Sequence, residues 1–311
     1  MSSDNSEVEA DARAADTCCC ASCGIFELDD IKLKECDGCD LVKYCSDECQ
    51  QLHRPDHESE CKERAAELLR DELLFKQPES SHMGDCPICC LPLPIDHDEK
   101  SILYTCCSKY ICNGCSHVHK LRQFQGNMQI TCPFCRHPAA QNREEADRNL
   151  MKRIEANDPI ALNDFGKRAC ENGDYDEAFK YWTKAAELGD VDAHYELSVL
   201  YREGHGVEKD EAKEIFHAEE AAIAGHPSAR INLACYEERR GNEDRARKHR
   251  IISASLGSDR SMKFLKEYYK HGFVSKEDFA AALRAHHAAV NAMKSPQREA
   301  AERAMAAVSK R

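Results

Sequence analysis

Twenty cysteines occur in this chain, and eighteen of them fall between Cys18 and Cys135. Most come in close pairs: Cys20-x2-Cys23, Cys36-x2-Cys39, Cys45-x3-Cys49, Cys86-x2-Cys89, Cys112-x2-Cys115 and Cys132-x2-Cys135. His57-x3-Cys61 and the adjacent Cys106 and Cys107 complete the series. One tight turn can aim both sulfurs of such a pair at a single ion about 2.3 Å away, the usual Zn–S distance. The rival use of so many thiols is a disulfide scaffold, which needs an oxidising compartment. The N-terminal stretch MSSDNSEVEADARAAD is acidic and has no apolar core, so it reads as a disordered tail over residues 1–17 and not as a secretory signal. Clustering and repeated spacing therefore predict metal sites: eight ligands in each of two clusters, two ions per cluster, four zinc ions in all. Segments this short cannot build an adequate apolar core, so coordination must supply much of their folding free energy.

Composition narrows the partners. Lysine and arginine number 43 against 56 aspartates and glutamates, a formal net charge of −13 over 311 residues. Such a surface repels phosphate backbones, so no nucleic-acid partner is expected. No apolar run approaches the ~18 residues of a membrane span, and no membrane association is expected. Reduced thiols without an export signal predict an intracellular protein, in cytoplasm or nucleus.

The first cluster, residues 18–61, contains CASCG, CDGC and KYCSDECQQLHRPDHESEC. These segments resemble a MYND zinc finger, with YCSDECQ followed by His57 and Cys61 the most specific part. The resemblance implies interleaved pairs: Cys20, Cys23, Cys45 and Cys49 around one zinc, and Cys36, Cys39, His57 and Cys61 around the other. Arg54 stands where that family commonly has a tryptophan, so the resemblance carries the zinc fold further than it carries a peptide-binding surface. His53 is a competing ligand, but the spacing to Cys61 favours His57. Cys18 and Cys19 do not fit a two-residue gap to Cys23 and read as free thiols, with Cys19 the alternative to Cys20.

The second cluster, residues 86–136, reads CPIC, CCSKYICNGC and CPFCR. It resembles a RING finger. Lys109 stands at the usual position of the histidine ligand, so an all-cysteine variant fits better. That resemblance implies Cys86, Cys89, Cys112 and Cys115 at one zinc and Cys106, Cys107, Cys132 and Cys135 at the other. Adjacent side chains tend to diverge, so the Cys106–Cys107 pair needs an unusual turn; the alternative is one of them with His117 or His119. Cys90, beside a ligand, is read as none. RING fingers often act as ubiquitin ligases that hold a ubiquitin-conjugating enzyme without a nucleophile of their own. The resemblance implies contact positions at Ile88, Pro133 and Arg136, an exposed apolar anchor joined to a multidentate cation.

Elements that would hold these clusters follow from periodicity. Residues 62–76, KERAAELLRDELLFK, place Ala65, Leu68, Leu69, Leu73 and Phe75 at largely helical spacing. QPESSHMGD (77–85) reads as linker, so 62–85 is helix and linker. Residues 137–158 form a linker helix with Leu150, Met151 and Ile154 apolar. Asp158-Pro159 then predicts a new helix, Asp158 as N-cap and proline at its first position. From there KAAELGDVDAHYELS (184–198), EAAIAGHPSARINLA (220–234) and ISASLGSDRSMKFLK (252–266) align on Gly189, Gly225 and Gly257, with an extra loop after Tyr201. A helix-pair repeat of this period implies a solenoid. Ala178, Ala185, Ala186, Ala221, Ala222, Ala246 and Ala254 let helices approach, while Phe179, Trp182, Leu188, Leu197 and Leu200 fill the layers. The turn KAAELGD and the loop YREGHGVEKD resemble Sel-type repeats, relatives of the tetratricopeptide family, over 159–270. Residues 271–311 are alanine-rich helices with a capping arrangement at Ser275 and Asp278, and His286 and His287 are expected to face solvent.

The expected architecture is two small zinc-stabilised modules, MYND-like and RING-like with a cross-brace, followed by an all-α helical-repeat solenoid. No nucleophile–base pair or phosphate cradle is visible, so no catalytic residue is assigned. The leading expectation is a RING-type ubiquitin ligase that recruits a ubiquitin-conjugating enzyme through 86–136 and substrate proteins through the repeats. The rival is a non-enzymatic adaptor in which every part binds protein. No segment resembles the catalytic domain of MYND-containing methyltransferases.

Overall fold

The computed structural model describes residues 19–28, 31–95 and 100–309. The acidic tail and the expectation for Cys18 lie outside the described residues. The chain divides into two compact units, Met1–Leu74 and Phe75–Arg311. Among the described residues no helix is long and apolar enough to cross a membrane.

In the first unit a short antiparallel pair, β1 (Lys34–Glu35) and β2 (Lys43–Tyr44), sets Lys34 opposite Tyr44. Helix α1 (Asp47–Phe75) follows, with Asp47 and Glu48 at the positive end of its dipole. The sequence predicts a helix only from residue 62. The earlier start is hidden because residues 47–61 are spaced for metal ligation and have no apolar stripe. Of the 29 residues of α1 only His57 and Leu74 are buried. Leu68, Leu69 and Leu73 are exposed, against the packing face expected of them. A helix with so little buried surface gains little from a hydrophobic core.

The second unit begins with a hairpin, β3 (Ser101–Tyr104) and β4 (Lys109–Cys112), registered Ser101 to Cys112 and Tyr104 to Lys109. Helix α2 (Asn113–Gln125) continues directly from β4, and α3 (Arg143–Glu155) leads to the solenoid. Seven helices then stack: α4 (Pro159–Glu171), α5 (Tyr175–Glu187), α6 (Val191–Glu203), α7 (Glu211–Ile223), α8 (Pro227–Arg239), α9 (Glu243–Ser255) and α10 (Asp259–Lys270). Helices α11 (Lys276–Ala292) and α12 (Pro296–Ser309) close the described chain.

The solenoid follows its repeat. Asp158, Asp190, His226 and Ser258 each cap the helix that opens a unit. All seven small residues singled out in the sequence are buried. Trp182 is buried among Leu162, Leu197 and Leu200, and its indole N–H donates to Asn163 Oδ1 at 3.0 Å. Leu188 departs from expectation: it sits at the C-cap of α5, where the chain leaves the layer, and is 46% exposed. His286 departs too. It is buried, with Nε2 3.0 Å from Asp259 Oδ1, because α11 packs across α9 and α10.

Candidate metal centres

Three turns are built alike. In each the residue after a CxxC pair takes a left-handed backbone: Gly24 (φ 73°), Cys90 (φ 53°) and Arg136 (φ 61°). Its N–H donates to the carbonyl of the first cysteine, Cys20, Cys86 or Cys132, at 2.8, 2.9 and 3.0 Å. The first cysteine's own N–H reaches the carbonyl of Ile25, Leu91 or His137. The flanking residues close isolated bridges, Cys19 to Phe26, Asp85 to Pro92 and Thr131 to Pro138. Folding back this tightly turns both sulfurs to one side.

Those turns and their partners assemble four groups, with ligand atoms within 4.8 Å of one another. They are Cys20, Cys23, Cys45 and Cys49; Cys36, Cys39, His57 and Cys61; Cys86, Cys89, Cys112 and Cys115; and Cys106, Cys107, Cys132 and Cys135. In each module the pairs interleave along the chain. Sulfur separations are 3.5 Å for Cys23–Cys45, 3.6 Å for Cys45–Cys49, 3.7 Å for Cys36–Cys61, 3.8 Å for Cys89–Cys112, 3.4 Å for Cys106–Cys135 and 3.8 Å for Cys107–Cys132. A tetrahedron with 2.3 Å Zn–S bonds has edges of about 3.8 Å, whereas a disulfide brings sulfurs to about 2.05 Å. The described cysteines are free thiols, and the donor sets suit zinc.

The electrostatics agree. Burial would raise Cys20, yet the backbone N–H groups of Cys23 and Cys45 draw it down to about 6. The hydrogen bond from Cys112 lowers Cys86 to about 4. Their neighbours move the other way: Cys45 rises to about 12 through its bonds with Cys23 and Cys49, and Cys61 to about 12 through burial and the nearby thiols. Burial and the charge of Cys132 likewise push Cys107 up to about 12. Four thiols at one point cannot all ionise beside each other; a divalent cation removes that conflict.

His57 Nε2 lies 3.2 Å from Cys39 Sγ, and its Nδ1 faces the exposed Glu60 carboxylate at 3.8 Å. His53 is engaged elsewhere, its Nδ1 3.0 Å from the Tyr44 hydroxyl. Cys106 and Cys107 both reach one group. They lie in the β3–β4 loop, where the Cys107 N–H donates to the Tyr104 carbonyl and Ser108 takes φ 51°. His119 Nε2 instead sits 3.1 Å from the Thr131 carbonyl oxygen. Cys90, exposed, and Cys19, half-buried, both lie outside the groups. Ile88 and Arg136 are exposed and Pro133 is half-buried, on the knuckles of Cys86–Cys89 and Cys132–Cys135.

Two long-range features were invisible in the sequence. Arg298 on α12 donates to Cys89 Sγ at 3.5 Å and to the carbonyls of Leu91 and Pro92 at 3.1 and 2.7 Å. A Cβ on Gly114 would lie 2.7 Å from the Arg298 backbone nitrogen, so only glycine lets α12 approach α2 this closely. The second feature lies in the linker of residues 77–85, which is packed against the repeats. The His82 side chain is only 5% exposed, with Nε2 2.8 Å from Asp192 Oδ1, and the backbone N–H of His82 donates to the Gly225 carbonyl. His226 Nε2 stands 3.5 Å from the same oxygen, and Lys167 Nζ 3.3 Å from Asp192 Oδ2. The Ala229 N–H donates to His226 Nδ1, so the ring proton of His226 is on Nε2 and faces Asp192. With no lone pair free on that ring and an ammonium alongside, His82, Asp192 and His226 form a polar tether and not a metal centre. Burial would raise Asp192, but His82, Lys167 and His226 hold it well below the carboxylate range. A groove of about 820 Å³ opens beside the tether, lined in part by Lys167, Trp182, Tyr195, Glu196 and Arg260.

Residues 20–61 match the family model of the MYND finger, and residues 163–190 and 191–226 match that of the Sel1 repeat. Over 78 residues, 25% of this chain, the sequence is 32% identical to DAP3-binding cell death enhancer 1 of Rattus norvegicus; the match spans 15% of that protein. Among solved structures, a Sel1 repeat protein from Oxalobacter formigenes is similar at 23% identity and TM-score 0.43, covering 58% of this chain and 74% of that one. A protective antigen of uropathogenic Escherichia coli with an SLR fold is similar at 21% identity and TM-score 0.39, covering 48% and 34%. An immunity protein of Pseudomonas aeruginosa is similar at 19% identity and TM-score 0.38, covering 58% and 68%.

Proposed function

We propose that this zinc-binding, protein-interacting chain is a RING-type ubiquitin ligase. In this reading four zinc ions are bound, two per module. The observation that carries it is the pairing of the second module's knuckles. One presents Ile88, 42% exposed, and the other presents Pro133 with Arg136 at a left-handed position. The two knuckles belong to different, interleaved groups, so their relative position is set by the cross-brace and not by a flexible loop. Ile88 and Pro133 would seat an apolar loop of a ubiquitin-conjugating enzyme. The Arg136 guanidinium would donate hydrogen bonds to that enzyme and to the ubiquitin it carries, restricting the thioester to conformations open to attack by a substrate lysine. The groove beside Tyr195 and Glu196 would take substrate protein. An abundance of thiols that must stay reduced supports a cytoplasmic or nuclear location.

The test is ubiquitin-chain formation by the purified protein across a panel of conjugating enzymes. Ile88→Ala and Arg136→Ala should abolish it while zinc content holds. Silence of the whole panel with the parent protein would sink the ligase reading. That outcome favours the second reading, a zinc-dependent adaptor, which the MYND and Sel1 matches support without any transfer step.

A further inference from the structure

Arg298 is 7% exposed, and its guanidinium is spent wholly within the second unit. Nη2 donates to Cys89 Sγ at 3.5 Å and to the Leu91 carbonyl at 3.1 Å. Nη1 donates to the carbonyls of Pro92 and Met293 at 2.7 and 2.8 Å. Among the described residues no carboxylate pairs with it. A buried cation without a counter-charge is costly. The anions at hand are the sulfurs. Four thiolates around one divalent ion leave a surplus of two negative charges, and the guanidinium offsets one of them at a ligand. The N-terminus of α2 adds a partial positive charge, since Cys112 Sγ caps that helix and accepts the Cys115 N–H at 3.4 Å. In the first module the side chain beside Cys36 is the neutral amide of Gln50, at 3.9 Å. The Leu91 carbonyl also accepts the Cys86 N–H at 2.9 Å, so the guanidinium is tied to both cysteines of the knuckle. Helix α12 holds it in place from behind. Ser295 Oγ accepts the Arg298 N–H at 3.3 Å, Ala301 is buried one turn on, and Asn113 Nδ2 donates to Met305 Sδ at 3.6 Å.

We propose that Arg298 is a positioning residue for the group of Cys86, Cys89, Cys112 and Cys115, holding the zinc ion of that group against release. It acts through Cys89, whose thiolate it hydrogen-bonds, and through Leu91 and Pro92, whose carbonyls it clamps so that the knuckle keeps its sulfurs on one point. A charge-assisted bond draws electron density from the sulfur and makes it a poorer target for protons and alkylating agents. The retention of this ion thus depends on a helix that follows the whole solenoid. The proposal rests on the reading that the group binds zinc, and it is independent of ligase activity.

The test uses the full zinc-loaded chain and a pyridylazoresorcinol dye as chelator, with alkylation and peptide mapping to identify the sulfurs set free. In Arg298→Met one ion of the four should leave roughly tenfold faster or more, with Cys86, Cys89, Cys112 and Cys115 the cysteines alkylated early. The other three ions should keep the rates of the parent. Arg298→Lys keeps the charge but loses the planar fork and should lie between, and it decides the matter if Arg298→Met does not fold. Met305→Ala trims another contact of α12 with α2 and should change none of the rates. Cobalt in place of zinc reports on the sulfur itself. Its sulfur-to-metal charge-transfer band should move to lower energy in Arg298→Met, because a thiolate stripped of a hydrogen bond gives up electron density more readily. A residue that only anchored α12 would leave that band unmoved. Equal acceleration of all four ions, parent rates in the Arg298 variants, or an unmoved cobalt band overturns the proposal alone. A parent chain without metal at this group overturns the zinc reading and the proposal together, so the two failures are told apart.

Discussion

Gly24, Cys90 and Arg136 occupy the same backbone position in three turns of matching hydrogen bonding, yet only the first is a glycine. A left-handed conformation costs a residue with a Cβ about 1 kcal/mol. Cys90 is exposed and outside every ligand group, so nothing in the structure repays its cost. Cys90→Gly should therefore raise stability by about 1 kcal/mol, read as a shift of the unfolding midpoint in denaturant at constant zinc content. Arg136 bears the same cost with a guanidinium in the open. The four cysteine-rich groups were legible in the sequence because a CxxC turn is a local object whose spacing carries its geometry. Arg298 and His82 were not legible. Their partners are the carbonyls of Leu91 and Pro92 and the carboxylate of Asp192, and no local pattern marks a residue that will meet a distant loop.

At the level of elements, caps explain what periodicity could and could not reveal. Asp158 before Pro159 and Ser275 before Asp278 begin helices where the sequence placed them. The start of α1 escaped because ligand spacing replaces the apolar stripe there. The cap of α6 makes a pH prediction. Asp190 Oδ1 accepts the Ala193 N–H, and burial together with the charge of Asp192 raises its carboxyl to about 7. An unfolded aspartate titrates near ~3.9. The folded state thus binds the proton more tightly, and the associated stability is complete below about pH 4 and is lost as pH rises through about 7. Asp190→Asn keeps a capping side chain and removes the charge. Its stability should match the parent at pH 4 and exceed it at pH 8 by up to about 4 kcal/mol, read as a higher melting temperature at pH 8 alone. A gap that is constant with pH would count against the assignment.

For the whole molecule, two kinds of stabilisation coexist. The repeat helices bury alanine, leucine and Trp182 in a continuous core, whereas the cysteine modules have few buried side chains beyond their ligands. Chelation should therefore divide the chain. Native mass spectrometry of the untreated protein should show four zinc ions, and their removal should expose the thiols of residues 20–135 to alkylation. The circular dichroism of the repeat helices should persist, with the lost helical signal confined to α1 and α2. Collapse of all helical signal together would contradict this division. The bond between Arg298 and Cys89 joins residues 209 positions apart. During synthesis the cysteines of the second module emerge early and can bind metal long before α12 exists. Until residue 298 has left the ribosome, the loop of Leu91 and Pro92 lacks its guanidinium.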